Sequence, residues 1–356
     1  MRRTLLALAS CVALLGAGPP GSAPSYVRAD PGVPLVSVSL IVRAGADREA
    51  AGENGLAGLV AESIVRTPSA GAALQDAVAA HGGSLAYSVA VRYVRFTLEA
   101  PPEALPAVVP LVAHALASPS LDAATLAASR TALDARIADD EKNPYLAGLA
   151  AVRNAYYRGA GALPVLGTAA ALAQLGPAQA RAFYARTYLR GGAFLTEVGR
   201  IDAQTQSMAQ TLIDALAAGT AAPVPALTTK PFAAEPRRIV LRRDIGEAYV
   251  VLGFGAPALG QKDFAAALVI RSLLASVFDR ESATTQPVYR RAVGAIYGYD
   301  VAPAQLALWI NGARLEPTTG ISAVATVLKN AAAQPLAPAV LERYKQRAAG
   351  EWAWTR

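Results

Sequence analysis

The sequence predicts an α+β fold of two homologous halves, each a mainly antiparallel sheet packed with helices, with the second half incomplete. Three observations carry this. Residues 87–100 (YSVAVRYVRFTLEA) alternate apolar and polar side chains with the period of paired strands. Ala-rich stretches of helical length, such as 121–141, stop at Asn or Pro. The order glycine, two strands, helix, proline occurs twice: Gly294 follows Gly83 by 211 residues, and Pro335 follows Pro119 by 216.

Taken in order, residues 33–43 (VPLVSVSLIVR) are β-branched and extended, which predicts a strand. Helical spacing follows at 54–65 and 71–80, the second broken by His81-Gly82-Gly83. The strand pair occupies 84–100. Helices are expected at 102–116, 121–141, 146–157 and 177–188, then a strand at 193–198 and a helix at 203–216. These make a first half spanning 33–220. Residues 221–235 (AAPVPALTTKPFAAE) have no period and hold three prolines, so they read as a linker. The second half, 236–356, begins again with a strand at 248–255 and a helix at 262–278. A strand pair runs from Gly294 through Ala313, and helices follow at 318–333 and 336–352. By the repeat offset, residue 356 corresponds to about residue 140 of the first half, so about eighty residues of a full second unit are expected to be missing.

Composition narrows the function. Of 356 residues, 53% are hydrophobic and 17% charged, which excludes disorder and suits a large buried core. The net charge of +7 comes from scattered Arg rather than basic clusters interleaved with aromatics, so no nucleic-acid partner is expected. At the start, Arg2-Arg3, an apolar run over 5–15 and small residues over 16–25 have the order of a secretory signal peptide. Export, to the periplasm, is the expectation, with residues 1–24 removed. The apolar run is too short to cross a bilayer comfortably, so no transmembrane segment is expected. The single cysteine, Cys11, lies in that leader, so the mature chain would hold no thiol. Leu8-Ala9-Ser10-Cys11 also has the form of a lipoprotein cleavage box, the alternative at this end.

Ala44-Gly45-Ala46-Asp47-Arg48-Glu49 and Gly52-Glu53-Asn54-Gly55-Leu56-Ala57 resemble the opening of the insulinase/pitrilysin family of zinc peptidases. Gly82-Gly83, Asp140-Glu141-Lys142-Asn143-Pro144, Leu166-Gly167-Thr168 and Val198-Gly199-Arg200-Ile201-Asp202 fit later landmarks, the last with Arg where the family usually has an acid. The family's next residues form an inverted zinc motif, H-x-x-E-H, on a helix. Aligned through Asn54-Gly55-Leu56-Ala57, the two histidine positions are Gly58 and Glu62 and the general-base position is Ala61. The third ligand position falls on Ala135, with Asp134 the nearest carboxylate. Zinc needs imidazole or carboxylate donors converging on one point, and these residues supply one. No metal, no cofactor and no catalytic residue are therefore expected.

Other chemistry finds no better support. His81 and His114 sit in different expected elements without carboxylates at ligand spacing, and no Ser lies in G-x-S-x-G. The run Asp139-Asp140-Glu141 reads as a solvated helix end. The resemblance instead points to Arg290 and Tyr297, which match the family's substrate-binding R-x-x-x-G-x-x-Y with Gly294 between them. A guanidinium and a phenol are fixed donors suited to a peptide carbonyl gaining negative charge. Without the resemblance, Arg290 is a solvated helix-end charge and Tyr297 a half-buried strand aromatic, with Tyr299 on the same strand face. In several branches of the family, a subunit without zinc supplies the Arg/Tyr pair to a zinc-bearing partner. The expectation is thus the non-catalytic, substrate-binding subunit of an exported heterodimeric zinc peptidase. Its partners would be a homologous zinc-motif subunit and a peptide or unfolded polypeptide. The alternative is a stand-alone peptide-holding or structural protein.

Overall fold

The computed structural model describes residues 25–69, 71–223, 226–230, 238–242, 244, 248–285, 293–298, 302–312, 322, 325–326, 329, 332–333 and 336–354. The expected leader with Cys11, and Arg290, Arg291 and Tyr299, lie outside these, as does most of the helix expected at 318–333.

The chain opens with β1 (Ser25–Ala29) and β2 (Val36–Val42), then α1 (Leu56–Val65), the short strands β3 (Pro68–Ser69) and β4 (Ala72–Ala73), and α2 (Leu74–Ala80). β5 (Ser84–Val89) and β6 (Val94–Ala100) form the expected hairpin. Next come α3 (Leu105–Ala117), α4 (Ala123–Lys142), α5 (Pro144–Tyr156), α6 (Ala169–Leu172), α7 (Pro177–Thr187), β7 (Ala193–Gly199) and α8 (Ala203–Asp214). β8 (Ala248–Ala256), α9 (Phe264–Thr285), β9 (Val293–Gly298), β10 (Ala304–Gly312) and α10 (Pro338–Trp354) follow. The class is α+β. The sequence pattern did not indicate β1, for a physical reason: all five of its residues are exposed, so it carries no alternation.

Two compact units, interleaved in sequence, make up the chain. The first comprises Met1–Gly45, Leu59–Ser129 and Gly176–Ala222. Its five-stranded sheet has the order β1-β7-β2-β6-β5, antiparallel except where β1 pairs parallel with β7. Alternation decides which face is buried. Val36, Val38, Leu40 and Val42 of β2 lie opposite Ala100, Leu98, Phe96 and Val94 of β6, all buried, while Ser37 and Ser39 point the other way. On α3, Leu105, Val108, Val109, Val112, Ala115 and Leu116 repeat at helical spacing and are buried, and Pro110 is tolerated on the exposed side.

The second unit comprises Ala46–Gly58, Arg130–Leu175 and Pro223–Arg356. Its antiparallel sheet has the order β8-β10-β9. The start of α5 is set by Asn143, whose side chain accepts from the N–H groups of Tyr145 (3.0 Å) and Leu146 (3.4 Å), with Pro144 at the first helical position. This accounts for the Asn-Pro landmark without any chemistry. α5 lies close on β8: a Cβ added at Gly253 would sit 2.2 Å from Val152 Cγ1, and one at Gly148 would sit 2.6 Å from Val251 Cγ2. α10 is tied to α9 by Glu351, which accepts from Arg271 and from Ser272 Oγ (2.7 Å).

Candidate functional site

The loop before α1 is organised by Glu49. Its carboxylate accepts from the N–H groups of Gly55 (3.1 Å) and Ala57 (2.9 Å) and from Asn54 Nδ2 (3.4 Å), so it caps the first turn of α1. Burial pushes its pKa up to about 7, against these hydrogen bonds, which pull it down. Gly55 and Gly167 have φ of +93° and +79°, and a Cβ on Gly167 would lie 2.7 Å from Gly55 Cα. Asn54 Nδ2 also donates to the carbonyl of Pro164 (3.0 Å). Two landmarks far apart in sequence, Asn54-Gly55 and Leu166-Gly167, are therefore the two sides of one backbone contact that only glycine permits.

Helix α1 is apolar nearly all round and buried, as a core helix is. At Gly58 an added Cβ would lie 3.3 Å from Leu166 Cδ2 and 3.8 Å from both terminal carbons of Leu133. Ala61 is fully buried. Glu62 is the one carboxylate on α1, and it is fully engaged: Arg66 Nε donates to one oxygen and Tyr87 Oη donates to the other at 2.7 Å. At the next residue, Ser63 Oγ meets Ser129 Oγ of α4 at 3.0 Å.

The spacing put the third ligand position on Ala135; the structure turns Ala135 outward and places Leu133 against Gly58. Leu126, Ser129 and Leu133 form the buried stripe of α4 at i, i+3 and i+7, so a two-residue offset rotates the assigned side chain to the opposite face. Asp134 keeps one carboxylate oxygen buried without a hydrogen-bond partner. Leucines beside the first histidine position and a committed carboxylate at the second do not fit a zinc ion, and the general-base position holds an alanine. Among the described residues no three His, Cys, Asp or Glu side chains are placed to share a metal. His81 ends α2 and His114 lies on the exposed side of α3. Asp139, Asp140 and Glu141 lie at the C-terminal end of α4, with Asp139 paired to Lys142 at 3.0 Å in full view of solvent.

Of the substrate-binding pair, Arg290 lies outside the described residues. Tyr297 is 6% exposed in the core of the second sheet, its ring centroid 5.9 Å from that of Phe264. Its hydroxyl donates to the carbonyl of Pro257, and burial raises its pKa. Sequence reasoning passed over Glu197. It is 2% exposed on the inward face of β7, with one oxygen that has no hydrogen-bond partner among the described residues, and burial pushes its pKa up to about 7. The signal was present, because Glu197 shares the parity of the buried Ala193 and Leu195.

Residues 26–169 match the family model described as insulinase (peptidase family M16). No curated protein matches the sequence. In fold, the chain is similar to an inactive domain of an M16 peptidase from Pseudomonas fluorescens, with a TM-score of 0.75 at 17% identity, covering 92% of this chain and 81% of that one. It is also similar to a protease from Helicobacter pylori, with a TM-score of 0.76 at 16% identity and coverage of 92% and 82%. A chain of complex III from Candida albicans gives a TM-score of 0.73 at 14% identity, with coverage of 93% and 79%. At these identities the likeness is one of fold. Residues 26–169 thus match the insulinase (M16) peptidase family in sequence, and the chain shares the fold of an M16 peptidase domain over about nine-tenths of its length.

Proposed function

We propose that this chain is a non-catalytic, substrate-binding subunit of an exported heterodimeric insulinase-type zinc peptidase. The observation that carries the reading is the state of α1. Its two histidine positions are filled by Gly58, against Leu133 and Leu166, and by a Glu62 carboxylate already held by Arg66 and Tyr87, and its general-base position by buried Ala61. Among the described residues no group of side chains is placed to hold zinc, while the second half of the sequence has Arg290 and Tyr297 at the family's substrate-binding spacing. A homologous partner would bring the zinc. Export, to the periplasm, follows from the Arg2-Arg3 leader in the sequence.

The test is co-expression with a zinc-motif homologue, measuring association and turnover separately. The purified chain alone should hold no stoichiometric zinc and cleave no peptide. In the pair, Arg290→Ala or Tyr297→Phe should lower kcat/KM by roughly 10²–10³, as loss of an oxyanion donor does, without dissociating the subunits. Full turnover in both variants would leave the two residues structural.

A second reading, a stand-alone peptide-holding or structural protein, is favoured by one feature. The Tyr297 hydroxyl is occupied by the Pro257 carbonyl rather than presented to a ligand. A family fold in a chain of Candida albicans complex III accords with such a role. Failure of every zinc-motif homologue to associate would select this reading.

A further inference from the structure

Where α5 ends, Tyr157 and Thr229 form an isolated antiparallel bridge. On either side, Arg158 N donates to Thr228 O and Lys230 N donates to Tyr156 O, each at 2.8 Å. Side chains alternate across such a ladder, so Arg158 and Lys230 emerge on one face as diagonal neighbours, a relation that spans about 7–8 Å. The backbone thus holds two cations together. Lys230 Nζ donates to the carbonyl of Asn154 at 2.6 Å, at the C-terminal end of α5, which leaves two of its three hydrogens for another acceptor. Arg153 Nε fixes the following turn by donating to Gly161 O at 2.8 Å. Among the described residues neither Arg158 nor Lys230 is in an ion pair. The two line an open cleft of about 520 Å³ whose other walls are Gly159, Ala162 and Leu163, and Leu163 is 43% exposed.

Two adjacent cations with no counter-ion among the described residues, beside an exposed leucine, suit a ligand that is anionic at one atom pair and apolar next to it. We propose that the cleft binds a peptide carboxylate flanked by an apolar residue, supplied by a chain terminus or by an Asp or Glu side chain. A guanidinium grips a carboxylate through two parallel N–H bonds, and Lys230 adds a point charge. The ligand class rests on the peptide-binding role common to both readings above.

The test is fluorescence anisotropy on the full chain with three labelled peptides of one sequence. One ends in Leu as the free acid, the second is its C-terminal amide, and the third is an amide with Glu beside the Leu. The free acid, the Glu-bearing amide or both should bind about tenfold or more tighter than the plain amide. Which of them does identifies the source of the carboxylate. Arg158→Gln should abolish the difference and Arg158→Lys should preserve part of it, in proteins with unchanged melting temperature. Equal affinity for all three peptides, no binding of any, or a preference that survives Arg158→Gln would overturn the proposal. So would displacement by inorganic phosphate with no acid–amide difference, which would mark a general anion site. No zinc-bearing partner is needed, so this comparison can fail while the turnover test succeeds, and the reverse.

Discussion

Glu62, Arg66 and Tyr87 tie α1 to β5 by charge-assisted hydrogen bonds. Removing the acceptor leaves a guanidinium and a phenol facing a void. Because Arg66 is about one-third exposed, water offsets part of the loss, and Glu62→Ala should cost about 1–3 kcal/mol. Tyr87→Phe should cost about 1 kcal/mol, since it removes one donor and leaves Arg66 in place. Urea denaturation of both and of the double variant should show costs that do not add, because the two residues are donor and acceptor of one hydrogen bond. Glu197 gives a second prediction, on pH. Burial raises both Glu49 and Glu197 from 4.5 to about 7, so between those values the folded chain holds protons that the unfolded chain has released. Their contribution to stability is full below about pH 4.5 and is lost as pH rises through 7. Glu197→Gln should raise the denaturation midpoint at pH 7.5 and flatten the slope between pH 5 and 7. An unchanged slope would show that Glu197 does not titrate there. At this scale the apolar run of α1 was legible in the sequence, as in the burial of Leu59, Val60 and Ala61. The sequence misled at Ala135, because spacing along a helix leaves the facing residue undetermined until the helix is rotated into place.

Among the elements, the contact between the loops carrying Gly55 and Gly167 positions the entry to α1. Gly167→Ala would combine a positive φ with a Cβ 2.7 Å from Gly55 Cα, and should destabilise by about 1–3 kcal/mol. The packing of α5 on β8 predicts a rescue: Gly253→Ala should be damaging alone and milder with Val152→Ala, whose shortened side chain removes the 2.2 Å clash. Thermal melts of the singles and the double decide this. Helices and the hairpin were readable because burial imposes a period on them. β1 was not, since a fully exposed parallel edge strand imposes none. The Gly55–Gly167 contact was visible only as two motifs, with nothing in either to say that they touch.

For the whole molecule, the sequence predicts an α+β unit that recurs after a linker. The compact units do not follow chain order, so chain order could not reveal them: the boundary between them falls inside α1 and again inside α4. Residues 1–222 hold all of the first unit together with 46–58 and 130–175 of the second. Expressed alone, that fragment would strip α5 of β8 and bare the strip around Gly148 and Val152. It should aggregate, as size-exclusion chromatography would show, whereas co-expression with 223–356 should restore solubility.

Interleaving also limits how such a chain can be dismantled. Each unit is assembled from three separate stretches of polypeptide, so no single deletion, nick or crossover yields one of them intact. A gene of this kind can be copied whole or spoiled, but it cannot donate one compact unit to another protein as a simple terminal module.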